Sequence, residues 1–498
     1  MAKSAPRRPY FTGILFLLVG LALAVGGGWL IALGGSTYYL IAGLGVAATG
    51  VSVLMRRTEA LWLYGLVLIG TVIWAIAEVG LNGWSLEPRI VAPLVLGLWL
   101  VTPWVRRGLV SAEAKTGVAR YAVAAPGLAA LIAVVVLAAG FLQPVGISGT
   151  ATASAAPGDV DLSVPAGDWW FYGRTPKGDR FSPLAQVNAA NVDRLKVAWT
   201  TQTGDRMRPG EDVGGTDAGH EFNFEATPIK VGDTVFVCTG HSWVEALDPA
   251  TGRIKWKFDP HANTDPDVYL ACRGVSYYAA PAGKTTVCQT RIIAPVLDAR
   301  VVALDAETGK PCSDFGKDGF IDLKQYLGHV PAGFHFVTSP PLVLHDRMIL
   351  GGWIYDNQAR GEPSGAVRAF DPISGKIIWA WDVGHPDQVI HPGDNTELTR
   401  GTPNAWGVYT ADAALNTVYL PLGNATPDYF GGARRPFDDE FNSSIVALDI
   451  TTGQPKWHFQ TTHHDVWDMD LPIGPSLVDL QIDGKKVPAL VQSDKRGE

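Results

Sequence analysis

The sequence predicts two structures in series, a helical membrane anchor of five spans and then an all-β propeller. Three observations carry this reading. The first 145 residues hold five separate apolar runs, whereas the rest reads as a soluble protein. An eleven-residue pattern, Ala-x-Asp-x-x-x-Gly-x-x-x-Trp, recurs only in the second part. Between them, residues 146–165 are small, polar and contain Pro and Gly, as a linker does. The expected division is therefore an anchor over 1–145, a linker over 146–165 and a propeller domain over 166–498.

The apolar runs fall at residues 11–33, 37–55, 60–77, 90–105 and 121–142. A spanning helix needs roughly 20 apolar residues. Four runs meet that length, and the fourth carries Pro93 and Pro103. The first run is too long for a cleavable signal peptide, and more spans follow it. Basic residues set the orientation. Lys3, Arg7 and Arg8 precede the first run, Arg56 and Arg57 follow the second, and Arg106, Arg107, Lys115 and Arg120 follow the fourth. These three sites share the cytoplasmic side under the positive-inside rule. An odd number of spans then delivers the propeller to the outer side, the periplasm of a bacterial inner membrane. Disulfides are allowed there. A Cys272–Cys288 bridge is one option, and the sequence does not fix the pairing. Arg89, alone on the outer side of the anchor, either meets a polar quinone head group or snorkels to mark a helix end. The net charge of −8 gives no reason to expect a nucleic-acid partner.

In the second part the pattern occurs at 246–256, 369–379 and 447–457, and at 303–313 with Ser313 in place of Trp. Its Asp-x-x-Thr/Ser-Gly centre is a hairpin turn in which Gly supplies positive φ. The Trp is placed to cover the gap between one four-stranded unit and the next. Such a repeat in an all-β context indicates a propeller, with unrelated hairpins of a sandwich as the competing reading. The chemistry concentrates in His463-His464-Asp465-Val466-Trp467-Asp468-Met469-Asp470-Leu471-Pro472. One of its acids is expected to be a general base for a substrate hydroxyl. A charged turn around a structural Trp is the alternative.

The turns resemble the tryptophan-docking motifs of quinoprotein alcohol dehydrogenases, and five spans before such a propeller resemble membrane-bound quinoprotein glucose dehydrogenase. The most specific stretches are Cys272-Arg-Gly-Val-Ser-Tyr277, Thr338-Ser-Pro-Pro-Leu342, Thr426-Pro-Asp428 and the His463 stretch. The resemblance implies an eight-bladed propeller with pyrroloquinoline quinone on its axis beside Ca²⁺ or Mg²⁺. It implies that Asp468 is the base, taking the proton of an aldose C1 hydroxyl while hydride leaves for the quinone, with the lactone as product. It makes Asp465 and Asp470 structural. It assigns Lys495 to the quinone oxygens, where a cation suits the reduced, anionic form. Trp406 is expected under the cofactor ring, with Arg273 and Glu225 at its carboxylates or carbonyls. Asp356, Asn357 and Thr426 are the implied metal ligands, hard oxygen donors that suit Ca²⁺ or Mg²⁺. Ubiquinone in the bilayer is the implied electron acceptor.

Two departures bear on this. Tyr278 stands where compared members of the family carry His near the substrate, which opens quinate, shikimate or another polyol as the substrate. Eight blades of roughly 40–45 residues also need more residues than follow position 166. About half of the propeller is therefore expected, as a fragment whose full-length parent is the enzyme. A propeller that only scaffolds envelope proteins is the reading from another class. It would share the turns but have no need of Asp468, Lys495, Asp356 and Asn357 together.

Overall fold

The computed structural model describes residues 9–109, 124–143, 163–208, 211, 221–264, 269–394, 396–482, 485–495 and 497. Two compact units make up the molecule, residues 1–152 and 153–498. Lys3, Arg7, Arg8, Lys115, Arg120 and Tyr121, and the linker up to residue 162, lie outside the described residues.

Among the described residues of the first unit the helices are Tyr10–Ala32, Tyr38–Leu54, Glu59–Val79, Gly83–Leu100, Pro103–Leu109 and Ala124–Phe141. The first two approach to backbone contact. A Cβ added at Gly20 would stand 2.2 Å from Ala47 N, and one at Gly43 would stand 2.4 Å from Ala24 N. Small residues at such a seam are how apolar helices associate without a hydrophobic drive. Tyr10–Ala32, Glu59–Val79 and Ala124–Phe141 are long and apolar enough to cross a membrane. Two expected spans differ. Tyr38–Leu54 has only 17 residues, and the fourth run begins earlier, at Gly83, then bends by 58° into Pro103–Leu109. Pro103 lacks an N–H and disfavours helical geometry in Thr102, which explains the break. Arg89 donates to Glu78 Oε2 at 2.8 Å and to Ser85 O at 2.7 Å.

The second unit stacks antiparallel sheets in sequence order. The first blade joins Ile229–Val231, Thr234–Cys238, Val244–Leu247 and Ile254–Phe258. The second joins Ser276–Ala279, Thr290–Val296, Arg300–Asp305 and Phe320–Asp322. The third joins Leu342–Leu344, Arg347–Leu350, Val367–Phe370, Ile377–Trp381 and the short Val389–Ile390. The fourth joins Thr410–Asp412, Thr417–Pro421, Ser444–Asp449 and Pro455–Gln460, and a hairpin of Ser476–Ile482 and Lys485–Val491 follows. Alternation along each strand feeds two interfaces. Ile292 packs toward the first blade with Phe236 and Val244, and its neighbour Ile293 packs toward the third with Met348 and Phe370. Ser276, Leu342 and Thr410, which open the first strands of the second, third and fourth blades, line one cavity together with Ile473, which precedes the following hairpin, so these strand starts converge.

The repeat has a physical basis at every position. Ala246, Ala369 and Ala447 pair across the ladder with Trp256, Trp379 and Trp457. Asp248 Oδ1 accepts from Thr251 N and Thr251 Oγ1, both at 2.8 Å, and Gly252 has φ of 70°. The Asp305, Asp371 and Asp449 turns repeat this. The Trp docks onto the next turn. Trp256 Nε1 donates to Ala306 O and Trp379 Nε1 to Ile450 O, each at 3.2 Å. Gly309 and Gly453 lie under those rings, where a Cβ would come within 2.6 Å. The glycine thus allows both the turn and the stacked ring.

Two docking contacts are invisible in the repeat. Trp199, which follows no such turn, donates to Pro249 O at 3.1 Å and covers Gly252 in the same manner. After the second blade, where Ser313 replaces Trp, Arg291 donates to Pro372 O at 3.4 Å and Ile373 O at 3.1 Å. Phe315 and Ile321 cover Gly375 in place of an indole. The disulfides are Cys238–Cys272 and Cys288–Cys312, correcting the Cys272–Cys288 option. Cys272 lies just before the first strand of the second blade and meets the end of the second strand of the first. Cys288 lies between two strands of its own blade and meets Cys312 there.

Candidate active site

Asp465 shapes the loop that carries the acids. Its side chain is fully buried and accepts from Asn424 Nδ2 at 3.0 Å, Ser443 Oγ at 2.6 Å, Trp467 N at 2.9 Å and Met469 N at 2.7 Å. The backbone wraps around this carboxylate, with Asp468 at φ of 60°. A positive φ is uncommon for a non-glycine residue, and such strain concentrates at functional sites.

Asp468 and Asp470 are two residues apart and reach one cation. Lys495 Nζ lies 2.9 Å from Asp468 Oδ2 and 3.1 Å from Asp470 Oδ2. Asp470 Oδ2 also accepts from Trp406 Nε1 at 3.0 Å. Lys495 Nζ stands 5.9 Å and Arg273 Cζ 5.1 Å from the Trp406 ring. Arg273 in turn pairs with Glu225 Oε2 at 3.3 Å and donates to the Thr338 hydroxyl. Asp468, Lys495, Trp406, Arg273 and Glu225 therefore form one connected cluster. Burial pushes the Asp468 carboxyl up and the Asp470 charge adds to it. Lys495 pulls the other way, leaving it at about 7. Burial opposes the charge on Lys495, but Asp470 and Asp468 outweigh it and hold the ammonium above its usual range.

A second group of oxygens adjoins this cluster. Asn357 Oδ1 accepts from Asp428 N at 2.8 Å, while Asn357 Nδ2 lies 3.2 Å from Asp356 Oδ1 and 3.4 Å from Asp428 Oδ2. Burial is the main cause raising both Asp356 and Asp428, and for Asp428 the neighbouring Asp356 charge adds to it. Thr426 Oγ1, Asp428 Oδ1, Glu362 Oε2 and Asp470 Oδ1 are buried without a hydrogen-bond partner. Among the described residues no group of three His, Cys, Asp or Glu has metal-site spacing, so amide and hydroxyl oxygens must complete any coordination. Crowded carboxylates and orphaned hard oxygens are a donor set that fits a divalent cation such as Ca²⁺ or Mg²⁺.

Tyr278 stands apart from both groups. Its ring is in the core between the second and third blades, and its hydroxyl donates to Asp346 Oδ1 at 2.8 Å. Residues i and i+2 of a strand share a face, so Tyr278 is buried with Ser276. Sequence reasoning gives Asp470 a structural place and Asp428 no role, yet Asp470 joins Lys495 to Trp406 and Asp428 abuts Asp356. The two-residue spacing from Asp468 and the Thr426-Pro-Asp428 stretch are the available signals.

Fold and cluster define a propeller-type stack of β blades that carries a connected group of two acids, a lysine and a tryptophan. Residues 169–498 match the family "PQQ: Glucose/ethanol/alcohol dehydrogenase, beta-propeller domain", and the chain belongs to it. It is 42% identical over 493 residues to quinoprotein glucose dehydrogenase of Escherichia coli strain K12, covering 98% of this chain and 60% of that protein. It is 39% identical to quinoprotein glucose dehydrogenase A of Acinetobacter calcoaceticus, covering 98% and 61%. It is 36% identical to the quinate/shikimate dehydrogenase (quinone) of Acinetobacter baylyi, again covering 98% and 61%. Similarity thus runs through both units, while the chain spans about 60% of the relatives' length. Among solved structures, quinohemoprotein alcohol dehydrogenase from Comamonas testosteroni superposes with a TM-score of 0.51 at 27% identity, over 66% of this chain and 46% of that one.

Proposed function

We propose that this protein carries the base, the cofactor floor and the cation site of a membrane-bound quinoprotein glucose dehydrogenase. The reaction is oxidation of the C1 hydroxyl of D-glucose to the lactone on the periplasmic side, with electrons passed to ubiquinone. The supporting observation is Asp468, raised to about 7, held against Lys495 and Asp470 beside Trp406. A base with that pKa is half ionised near neutral pH, where proton transfer is most effective.

Pyrroloquinoline quinone, when bound, supplies the two-electron acceptor. The protein supplies the rest. Asp468 takes the substrate proton. Lys495 and Arg273 present cations to quinone oxygens and carboxylates, Glu225 orients Arg273, and Trp406 offers a flat face for stacking. Asp356, Asn357 and Thr426, with Asp428 beside them, hold the divalent cation. The anchor is read as five spans with a cytoplasmic N-terminus, and the propeller as one of eight blades. Quinate or shikimate is the second reading, favoured by the identity to a quinate/shikimate dehydrogenase.

The test is dye reduction by membranes containing this protein, reconstituted with pyrroloquinoline quinone and Ca²⁺ or Mg²⁺. Glucose-dependent reduction is the expected result. Reduction with quinate alone moves the substrate to the second reading, and none with either substrate contradicts the proposal for this protein.

A further inference from the structure

Two large aromatic side chains, on the loops of Asp468 and Asp428, remain open to solvent. Tyr429 and Trp467 are each 64% exposed. Trp467 directly precedes Asp468, and Tyr429 directly follows Asp428. Both residues therefore sit on loops that border the cluster. Asp468 and Lys495 are themselves reachable there, with side chains 27% and 34% exposed.

The loops that carry the rings are fixed to each other. Arg434 Nη2 donates to Asp428 O at 2.8 Å and to Asp465 O at 2.9 Å, tying the residue before Tyr429 to the loop of Trp467. Gly431 lies against the same loop, where a Cβ would come within 2.7 Å of His464 Nε2 and 3.2 Å of Val466. Asp465 Oδ1 holds Trp467 N at 2.9 Å. Phe430, the third ring here, already faces the Arg360 guanidinium at 5.8 Å. Two exposed rings on loops pinned to each other, beside a solvent-reachable acid and cation, call for a ligand with an apolar face and a polar edge.

We infer that Trp467 and Tyr429 form a stacking subsite for the ring face of a cyclic polyol, and that this subsite selects cyclic over acyclic substrates. The faces of a pyranose or cyclitol carry C–H groups, which pack against the negative face of an aromatic quadrupole. Its hydroxyls project from the edge, toward Asp468 and Lys495. An acyclic polyol has the same hydroxyls but no continuous face. This inference rests on the proposed role of Asp468 toward a substrate hydroxyl, and it needs no bound cofactor.

Saturation-transfer difference NMR on the whole protein in detergent micelles tests it, with D-glucose and the acyclic polyol D-glucitol as probes. Transfer to glucose ring C–H protons is expected to exceed that to glucitol about fivefold. Trp467→Ala and Tyr429→Ala each abolish that difference, whereas Trp467→Phe and Tyr429→Phe keep a ring and restore most of it. Trp457→Ala, at an exposed indole on the last strand of the fourth blade, leaves it intact. Equal transfer to the two probes, or unchanged transfer in both alanine variants, overturns the inference. Intact transfer without dye reduction counts against the proposed function but supports the subsite, and dye reduction without selective transfer does the reverse.

Discussion

Asp468 and Lys495 share one ion pair, and each sets the other's proton affinity. A base works only when deprotonated, so kcat/KM should rise with pH through about 7, where the Asp468 carboxyl titrates. Lys495 holds that carboxyl down. Lys495→Met should therefore move the rising limb to higher pH, and a pH–rate profile of both proteins checks this. Asp356→Asn removes a charge from the oxygen group, so Ca²⁺ affinity measured by calorimetry should fall about tenfold or more. At this scale the sequence is legible where residue type alone carries the chemistry. Asp468 stands in a recognisable stretch, whereas Lys495 and Asp356 are picked out only by the family resemblance, and Asp468 and Lys495 meet in the fold. Asp470 and Asp428 are less legible because an acid's part depends on what the fold sets beside it, here Lys495 and Asp356. Tyr278 is hard to read for a similar reason. Strand alternation puts it on one of two faces, and only blade packing decides that its face is core.

The docked tryptophans join blade to blade. Trp379 is fully buried over the Asp449 turn, whereas Trp457 is 42% exposed. Trp379→Ala should lower stability by about 3–5 kcal/mol, as large aromatic deletions in cores do, and Trp457→Ala should cost far less. Thermal unfolding of the two variants separates them. The motif is legible because each of its positions answers a local demand, the Asp cap, the Gly with positive φ and the Trp that covers it. The contacts at Trp199 and Arg291 are not, because the docking group there comes from a segment outside the pattern. Disulfide pairing is illegible for the same reason. Peptide mapping should recover Cys238 linked to Cys272 and Cys288 linked to Cys312.

The whole molecule joins a bundle of apolar helices to a propeller, and hydropathy alone separates them. What hydropathy leaves open is how each apolar run is used, since proline breaks the fourth and the second is short. A reporter fused after residue 143 should be active only outside the cytoplasm if the helices make an odd number of crossings. The central claim is that Asp468 is the base of a quinoprotein sugar dehydrogenase. Its most direct test pairs two readouts on Asp468→Asn, an uncharged near-isostere that keeps the shape of the carboxylate. Binding of pyrroloquinoline quinone and Ca²⁺ should be retained, while glucose-dependent dye reduction falls about a thousandfold, within the range ascribed to a general base. Unchanged dye reduction in that variant would contradict the claim.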